Sequence, residues 1–477
     1  MKTRHHAWLV ALALVAAQAA AAQAPGGQRA AASGPSRAPA TAEPFTMPVP
    51  PAGRLVAITN ATIMTASHGT IQRGTIIIRD GRIAAVGENL EVPAGAQVID
   101  GTGRYVTPGI IDAHSHTASE AINEGTQSVT AEVRMSDVMR QDGVSLYRQL
   151  AGGVTSSNVL HGSANTIGGQ NVTIKYRYGL PADSLIFREA PPGIKFALGE
   201  NVRQTNNNPA PGQQRRYPFT RMGVEEVLRD AFTRARAYQA EWRGFRTDST
   251  TWARNRNTRT RGLEPIPPAR DLELDALVEI LEGRRLVHAH SYRSDEILML
   301  LGVAREFSFR IQTLQHVLEG YRVADEIAAM GIGASTFADN WAYKMEAYDA
   351  IPHNASLMAE RGVLVTINSD SDERARRLYQ EAAKAMHYGG TSEEEALRMI
   401  TLNAARQLGV AEHTGSIDVG KQADIAIFNG HPFAPASRVE MTLVDGRVFF
   451  DRSTAPTLEA RMQRGRPAPR PASGGAQ

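Results

Sequence analysis

The residues most suggestive of chemistry are two histidines that follow an apolar run within residues 106–117, VTPGIIDAHSHT. His114 and His116 are two positions apart, and residues i and i+2 of a strand point to the same face. Both imidazoles would therefore aim at one point, as two ligands of one metal ion must. The alternative is a pair of surface histidines on a loop, because His-x-His is a short pattern.

Lys195 is unusual because it lies inside the apolar run GIKFALG, in a chain whose basic residues are nearly all arginine. The chain has six lysines, at positions 2, 175, 195, 344, 384 and 421. A buried lysine amine can lose its proton and then add carbon dioxide, which gives a carbamate anion with two oxygens that can bridge two metals. Two alternatives remain open. Lys195 could extend its amine to solvent from a strand end, or Glu200 could be the anionic ligand.

Four further polar residues stand at the ends of strand-like runs. They are His288 and His290 in RLVHAHS, His316 in RIQTLQH and Asp370 in GVLVTINSD. Each alone could be a buried, hydrogen-bonded polar group. Together with the first two histidines and the lysine, they form an ordered series that chance rarely produces. Cysteine is absent, so a metal site here would use histidine, carboxylate or modified lysine.

The segments between these residues alternate strand-like and helical patterns. This alternation predicts parallel βαβ units, and at 477 residues an α/β fold with a (β/α)8 TIM-like barrel at residues 108–412. Such barrels carry their active sites at the C-terminal ends of the strands. Residues 201–270 form an insertion, expected to be a lid or a subunit contact, with a helix at residues 224–242.

Two strand-rich segments flank the barrel, at residues 52–107 and 413–452, and each contains an Asp-Gly turn signal. Because both segments consist of short strands separated by turns, we predict that they form one small β-sandwich domain built from both ends of the chain. Asp80 and Asp445 are each followed by glycine, and Asp-Gly is a residue pair that tight hairpin turns favour.

The termini and the charge suggest location and exclude one class of partner. Residues 1–22 have basic residues before an apolar run that ends in small residues, which predicts a signal peptide and a periplasmic or secreted protein. An uncleaved anchor is the alternative, although the run is short for a membrane span. Residues 23–51 and 453–477 are expected to be a disordered linker and tail. The net charge of +3 argues against a nucleic-acid partner.

The constellation resembles the amidohydrolase superfamily, in particular its imidazolonepropionase-related, prolidase-like branch. The strings that carry the resemblance are PGIIDAHSH, TLNAARQLG and GSIDVGKQADIAIF. It extends over about residues 55–451 and implies a site for two divalent metal ions. Neutral imidazole and carboxylate ligands suit zinc best, with manganese, iron and nickel left open.

The resemblance also implies a role for each residue of the series. The expected metal ligands are the six residues His114, His116, Lys195 as a carbamate bridge, His290, His316 and Asp370. Asp370 is also the expected catalytic base and acid. His290 is preferred to His288, which stays an alternative ligand. Glu200 also stays one, because the sequence GENV after the lysine strand departs from the family pattern.

Residues for the substrate are fewer. Tyr292 and Arg293 follow His290, and the guanidinium could hold a substrate carboxylate or pair with Asp295 or Glu296. His161 is expected to line the pocket. The predicted function is hydrolysis of C–N bonds in small amides, cyclic amides or peptides by a metal-activated hydroxide. The alternative is a catalytically silent binding protein on the same fold. A homo-oligomer is left open.

Overall fold

The computed structural model describes residues 55–203 and 216–455. The predicted signal peptide (1–22), the predicted linker (23–51) and the predicted tail from residue 456 onward lie outside these residues. Within the described part of the chain, none of the helices combines the length and the apolar character needed to cross a bilayer.

The described chain contains sixteen strands in two sheets of eight. The first five strands are β1 (Leu55–Met64), β2 (Thr70–Arg79), β3 (Arg82–Glu88), β4 (Gln97–Asp100) and β5 (Tyr105–Pro108). The next eight are β6 (Ile110–Ser115), β7 (Val154–Val159), β8 (Ile167–Lys175), β9 (Gly193–Ala197), β10 (Leu286–Ser291), β11 (Ile311–His316), β12 (Gly333–Thr336) and β13 (Val365–Ile367). The last three are β14 (Ile425–Phe428), β15 (Val439–Val444) and β16 (Arg447–Asp451).

In the described residues, ten α-helices alternate with these strands or follow them. They are α1 (Val144–Leu150), α2 (Ala182–Leu185), α3 (Arg221–Arg254), α4 (Leu272–Leu281), α5 (Ser294–Phe307), α6 (Ala324–Ala329), α7 (Asn354–Glu360), α8 (Leu378–Gly389), α9 (Glu393–Met399) and α10 (Leu402–Gln407). Short 3-10 helices occur at Met135–Val138, Gly320–Arg322, Met345–Ala347 and Arg374–Arg377.

Strands β6 to β13 form the barrel sheet in chain order, which confirms the predicted α/β barrel. A parallel bridge between Ser115 and Ser371 joins its first strand to the segment that follows its last. One strand departs from the expected parallel order, because β8 runs antiparallel to both neighbours. Only residues 160–166 separate β7 from β8, and a parallel crossover needs about a dozen residues or more.

The core of the barrel is formed by strands buried along their whole length and by helices with one apolar face. Every residue of β7 and β9 is buried, as expected for strands covered on both sides. Helix α5 buries Ile297, Leu300, Leu301 and Ala304, whose spacing of three and four places them on one side of a helix. These packed layers hold the strand ends in fixed relative positions.

Both ends of the described chain contribute to the second sheet, as predicted. Its order is β16-β15-β14-β5-β1-β2-β3, with β4 also paired to β1. Antiparallel pairing of β14 with β5 joins the two ends, and residues such as Ile58, Ile76, Ile425 and Leu443 form a common core. This sheet is continuous with the barrel because Pro108 ends β5 and Ile110 begins β6.

The predicted insertion contains a helix longer than the sequence suggested. Helix α3 extends from Arg221 to Arg254, whereas the predicted helix covered residues 224–242. The Thr220 side chain accepts a hydrogen bond from the Gly223 N–H and so caps the first turn. The apolar periodicity stops near residue 242 although the helix does not, which is why the sequence pattern ended too early.

Candidate active site at the strand ends

The residues of the predicted series meet at one end of the barrel. His114 lies on β6 and His116 just past it, Lys195 lies on β9, His290 on β10 and His316 on β11, while Asp370 follows β13. The carboxyl ends of parallel barrel strands lie at the same end of the barrel, which we call the rim. Residues far apart in sequence therefore come together there.

Asp370 is the centre of the cluster. Its Oδ1 lies 3.1 Å from Nε2 of His114 and 3.0 Å from Nε2 of His116, and its Oδ2 lies 3.9 Å from Nε2 of His316. Nζ of Lys195 lies 3.2 Å from Nε2 of His114. His114, His116 and Asp370 have ligand atoms close enough to hold one metal ion.

Hydrogen bonds on the far side of the rings determine which nitrogen faces the cluster. Nδ1 of His116 lies 3.1 Å from the Leu160 carbonyl oxygen, and a carbonyl can only accept, so Nδ1 carries the proton. In the neutral ring, Nε2 then directs a lone pair at a carboxylate oxygen of Asp370. Two electron-rich atoms 3.0 Å apart repel each other unless a cation lies between them. The donor set therefore fits a divalent metal ion.

His114 is arranged in the same way. Its Nδ1 lies 3.1 Å from Oε1 of Gln315, which leaves Nε2 for the cluster. Burial in the barrel lowers the pKa of His114 well below its ordinary value, and the charge of Lys195 lowers it further. The ring is thus neutral, which is the form that binds metals.

His290 and His316 form the other side of the cluster. Their ring centroids are 4.6 Å apart, and burial lowers the pKa of both well below the ordinary value. Nδ1 of His290 is 2.8 Å from Oγ of Ser163. Its buried Nε2 has no hydrogen-bond partner among the described residues. An orphaned imidazole nitrogen of this kind is what a second metal ion would satisfy.

The backbone is strained at two of these positions. His316 has a φ of 71° and Asp370 a φ of 46°, in the left-handed region that non-glycine residues seldom adopt. The turn at His316 interrupts the alternation of β11, so that Gln315 and His316 both contact His114. Strain of this kind is concentrated at functional sites.

Asp112 stabilises the turn that carries Asp370. The sequence analysis did not assign this role to it. Its buried carboxylate accepts hydrogen bonds from the N–H and the Oγ of Ser369, at 3.0 and 2.5 Å. The N–H of Asp370 donates to the His114 carbonyl at 2.9 Å. These bonds tie the turn after β13 to β6 and orient the Asp370 carboxylate. Burial raises the pKa of Asp112 to about 7.

Lys195 is enclosed by the barrel, with 1% of its surface exposed. Burial lowers its pKa to about 8. Nζ also lies 3.2 Å from the His161 carbonyl oxygen. The amine is therefore positioned against His114 and is easier to deprotonate than an ordinary lysine.

The two alternative ligands lie at different levels of the barrel. His288 pairs in register with Lys195 on the neighbouring strand, and burial lowers its pKa to about 3. Its Nδ1 has no hydrogen-bond partner among the described residues. Glu200 lies beyond the end of β9, where its N–H donates to Oε2 of Glu346 at 2.8 Å. Its choice as a ligand stays a prediction.

The predicted substrate residues differ in their surroundings. The ring of Tyr292 packs 4.6 Å from that of His290, and its hydroxyl hydrogen-bonds to that of Tyr343. Arg293 makes a two-point ion pair with Asp295, at 3.0 and 3.3 Å, which is the alternative considered for it above. A substrate role for either residue stays a prediction.

His161 lies next to the cluster with both ring nitrogens engaged. Its Nδ1 lies 2.9 Å from the Gly162 carbonyl oxygen, and its Nε2 accepts from the Glu124 N–H at 2.8 Å. Burial lowers its pKa to about 4. In this arrangement its imidazole stabilises the loop after β7, and its predicted place in the lining of the pocket stays a prediction.

Arg374 is a cation at the rim that sequence reasoning missed. Its Nη1 donates to Oδ1 of Asn340 at 3.3 Å, and its charge acts on the nearby Tyr343 hydroxyl. It makes no ion pair with any described residue, whereas Arg376 pairs with Glu373. The only signal in the sequence was its position four residues after Asp370.

Comparison with known proteins points to one family. A model of the Amidohydrolase family matches residues 268–449. The amidohydrolase tasK of Hapsidospora irregularis is 30% identical over 407 residues, which cover 79% of this chain and 40% of tasK. The imidazolonepropionase of Mesorhizobium japonicum is 22% identical over 383 residues, which cover 76% of this chain and 88% of that protein.

Solved structures agree. The crystal structure of an amidohydrolase from Thermotoga maritima superimposes with a TM-score of 0.73 and 29% identity, covering 83% of this chain and all of that one. The chain thus spans well under half of tasK but the full length of the Thermotoga maritima structure. Sequence and fold comparisons agree, because over most of its length this chain is similar to proteins of the amidohydrolase superfamily.

Proposed function

We propose that this protein is an exported, metal-dependent amidohydrolase that cleaves the C–N bond of small amides, cyclic amides or peptides. The observation that carries the proposal is the convergence of His114, His116 and His316 on the carboxylate of Asp370, with Nε2 of His116 lying 3.0 Å from a carboxylate oxygen. A cation held between those atoms would relieve the repulsion between them.

The proposed ligands divide into two groups that share a bridge. His114 and His116 would hold the inner metal, and His290 and His316 the outer one. Lys195, as a carbamate, would bridge the two, and Asp370 would complete the set. Zinc fits these nitrogen and oxygen donors best. Bound metal would polarise the substrate carbonyl and make water a stronger nucleophile at neutral pH.

Asp370 is the proposed proton carrier. Burial alone would raise its pKa, but its contacts with His316 and His116 and the nearby amine of Lys195 lower that pKa below the usual value. The group is therefore a carboxylate at neutral pH. It can accept the proton of the attacking water and then deliver that proton to the leaving nitrogen, so that the amine departs neutral.

Arg374 is the proposed contact for an anionic group of the substrate. It lies on the segment that follows Asp370, is partly buried and has no carboxylate partner among the described residues. A guanidinium in this state favours a carboxylate, which it can hold by two hydrogen bonds. Arg293 is less suited to bind a substrate carboxylate because its guanidinium already makes two hydrogen bonds to Asp295.

The proposal is tested by metal analysis together with a substrate screen. Protein produced with zinc should carry between one and two equivalents of metal and should hydrolyse members of a panel of N-acyl amino acids, dipeptides and cyclic amides. His290→Ala should lose metal and activity, whereas the matched variant His288→Ala should keep most of both. Wild-type protein with less than one equivalent of metal and no turnover would favour the silent binding protein.

A further inference from the structure

The second half of helix α3 extends beyond the barrel and carries a basic surface, several of whose arginines have no ion-pair partner among the described residues. The buried residues of the helix end at Tyr238, and α3 continues to Arg254 before the chain returns to α4. We call residues 239–270 the basic arm. Its sixteen helical residues extend for about 24 Å at 1.5 Å per residue.

The arm points away from the candidate active site. At the start of α3, Arg221 pairs with Asp295 and Glu296, close to the C-terminal end of β10. Farther along, Gln239 donates to Glu282, which lies just before the start of β10. The helix thus runs from the catalytic rim toward the opposite end of the barrel, and the arm continues in that direction.

The charge of the arm is strongly asymmetric. It holds seven arginines against three carboxylates, Glu241, Asp248 and Glu264, a net charge of +4 in a chain whose total is +3. Six of these arginines are exposed. Arg270 pairs with Asp275, but Arg254, Arg256 and Arg259 make no ion pair with any residue that the structure describes. Arginines that only balance local acids would show such pairs.

Two aliphatic side chains lie beside these cations in full contact with solvent. Leu263 is 95% exposed and Ile266 is 88% exposed. The returning segment is held against the helix because Arg261 stacks on Trp252 at 3.7 Å and the indole N–H donates to the Gly262 carbonyl at 3.3 Å. The fold therefore presents the two side chains in a defined place rather than burying them.

We propose that the basic arm binds the surface of an anionic lipid bilayer. Exposed arginines match lipid phosphates, and neighbouring aliphatic side chains can enter the boundary between headgroups and acyl chains. A nucleic acid would use the arginines but would leave Leu263 and Ile266 in water. A second copy of this arm would oppose like charges. Attachment through the arm would leave the active site facing solution.

Vesicle co-sedimentation of the full protein tests this proposal. Vesicles of phosphatidylcholine containing phosphatidylglycerol should retain the protein, and vesicles of phosphatidylcholine alone should not. At about 1 kcal/mol for each basic residue near such a surface, the variant with Arg254, Arg256 and Arg259 changed to serine should bind on the order of 100-fold more weakly. High salt should release the protein because it screens these charges.

Matched variants separate the arm from net charge. Changing Arg322, Arg361 and Arg438 to serine removes the same charge from exposed, ion-paired positions and should leave vesicle binding nearly intact. Leu263→Ser with Ile266→Ser should weaken binding without changing the unfolding temperature, because neither side chain is buried in the fold.

Several outcomes would overturn the proposal. They are absence of vesicle binding, equal binding to neutral vesicles, and equal loss in the two arginine variants. Tighter binding to a short DNA duplex than to vesicles would assign the arm to nucleic acid instead. A dimer that dissociates when Leu263 and Ile266 are changed would assign it to a second copy.

Discussion

Replacing Lys195 tests the proposed carbamate, which is the most unusual feature of the proposed site. An unperturbed lysine has a pKa of 10.5, and burial lowers that of Lys195 to about 8. At pH 7 the neutral amine then rises from about 0.03% to about 10% of molecules, a gain of about 300-fold. Only the neutral amine adds carbon dioxide, so burial at this position makes a carbamate accessible at neutral pH.

Arginine at position 195 keeps a positive charge and cannot form a carbamate. Lys195→Arg and Lys195→Ala are therefore both expected to lose at least half of the bound metal and to slow turnover on the order of 1,000-fold. Metal content by elemental analysis and steady-state rates check this. Wild-type protein supplied with 13C-labelled bicarbonate should also show a carbamate carbon signal that Lys195→Arg lacks.

The competing ligand provides the control. Glu200→Ala should keep metal and most activity, and short carboxylic acids should partly restore Lys195→Ala by supplying the missing anion. The reasoning is refuted if Lys195→Arg retains normal metal and turnover while Glu200→Ala loses both, because the bridge would then be Glu200.

Three further predictions concern the rim, the support of the cluster and the N-terminus. Arg374→Met should raise KM by about 10- to 100-fold for substrates that carry a carboxylate, since a hydrogen bond to a charged group contributes about 1.5–3 kcal/mol; an equal effect of Arg376→Met would contradict this. Asp112→Ala should weaken metal binding by about 10- to 100-fold in a chelator competition, because the turn that holds Asp370 loses its anchor; unchanged affinity would argue against that role. Exported protein should lack residues 1–22, and N-terminal sequencing that begins at Met1 would contradict the signal peptide.

Local pattern was enough to predict the barrel and the main members of the cluster. The i, i+2 spacing of His114 and His116 is a property of any strand, and their rings lie 5.2 Å apart. His316 ends β11 and Asp370 follows β13, which puts both at one rim because parallel strands of a barrel end together, and Lys195 reaches the same cluster from within β9. These conclusions depend on periodicity, which short stretches of sequence show, and on the barrel topology that the alternation of strands and helices predicts.

Local sequence patterns did not predict which partners the side chains would have in the folded protein. Arg293 could have faced a substrate or Asp295, and the ion pair is decided by packing at the start of α5. His161 has the residue type of a ligand, yet its two nitrogens are engaged by Gly162 and Glu124. A side chain's partners depend on segments that fold next to it, and composition does not specify them.

By itself, the sequence determined the residue types, their order along the chain and the apolar periodicities, and with these the fold class and the candidate ligands. Tertiary structure alone decided the antiparallel course of β8, the positive φ of His316 and Asp370, and the placement of His116 Nε2 beside the Asp370 carboxylate. It also decided how far α3 projects beyond the barrel. The physical reason is that patterns report interactions between near neighbours, whereas hydrogen-bond partners, backbone strain and exposure depend on the chain's long-range packing.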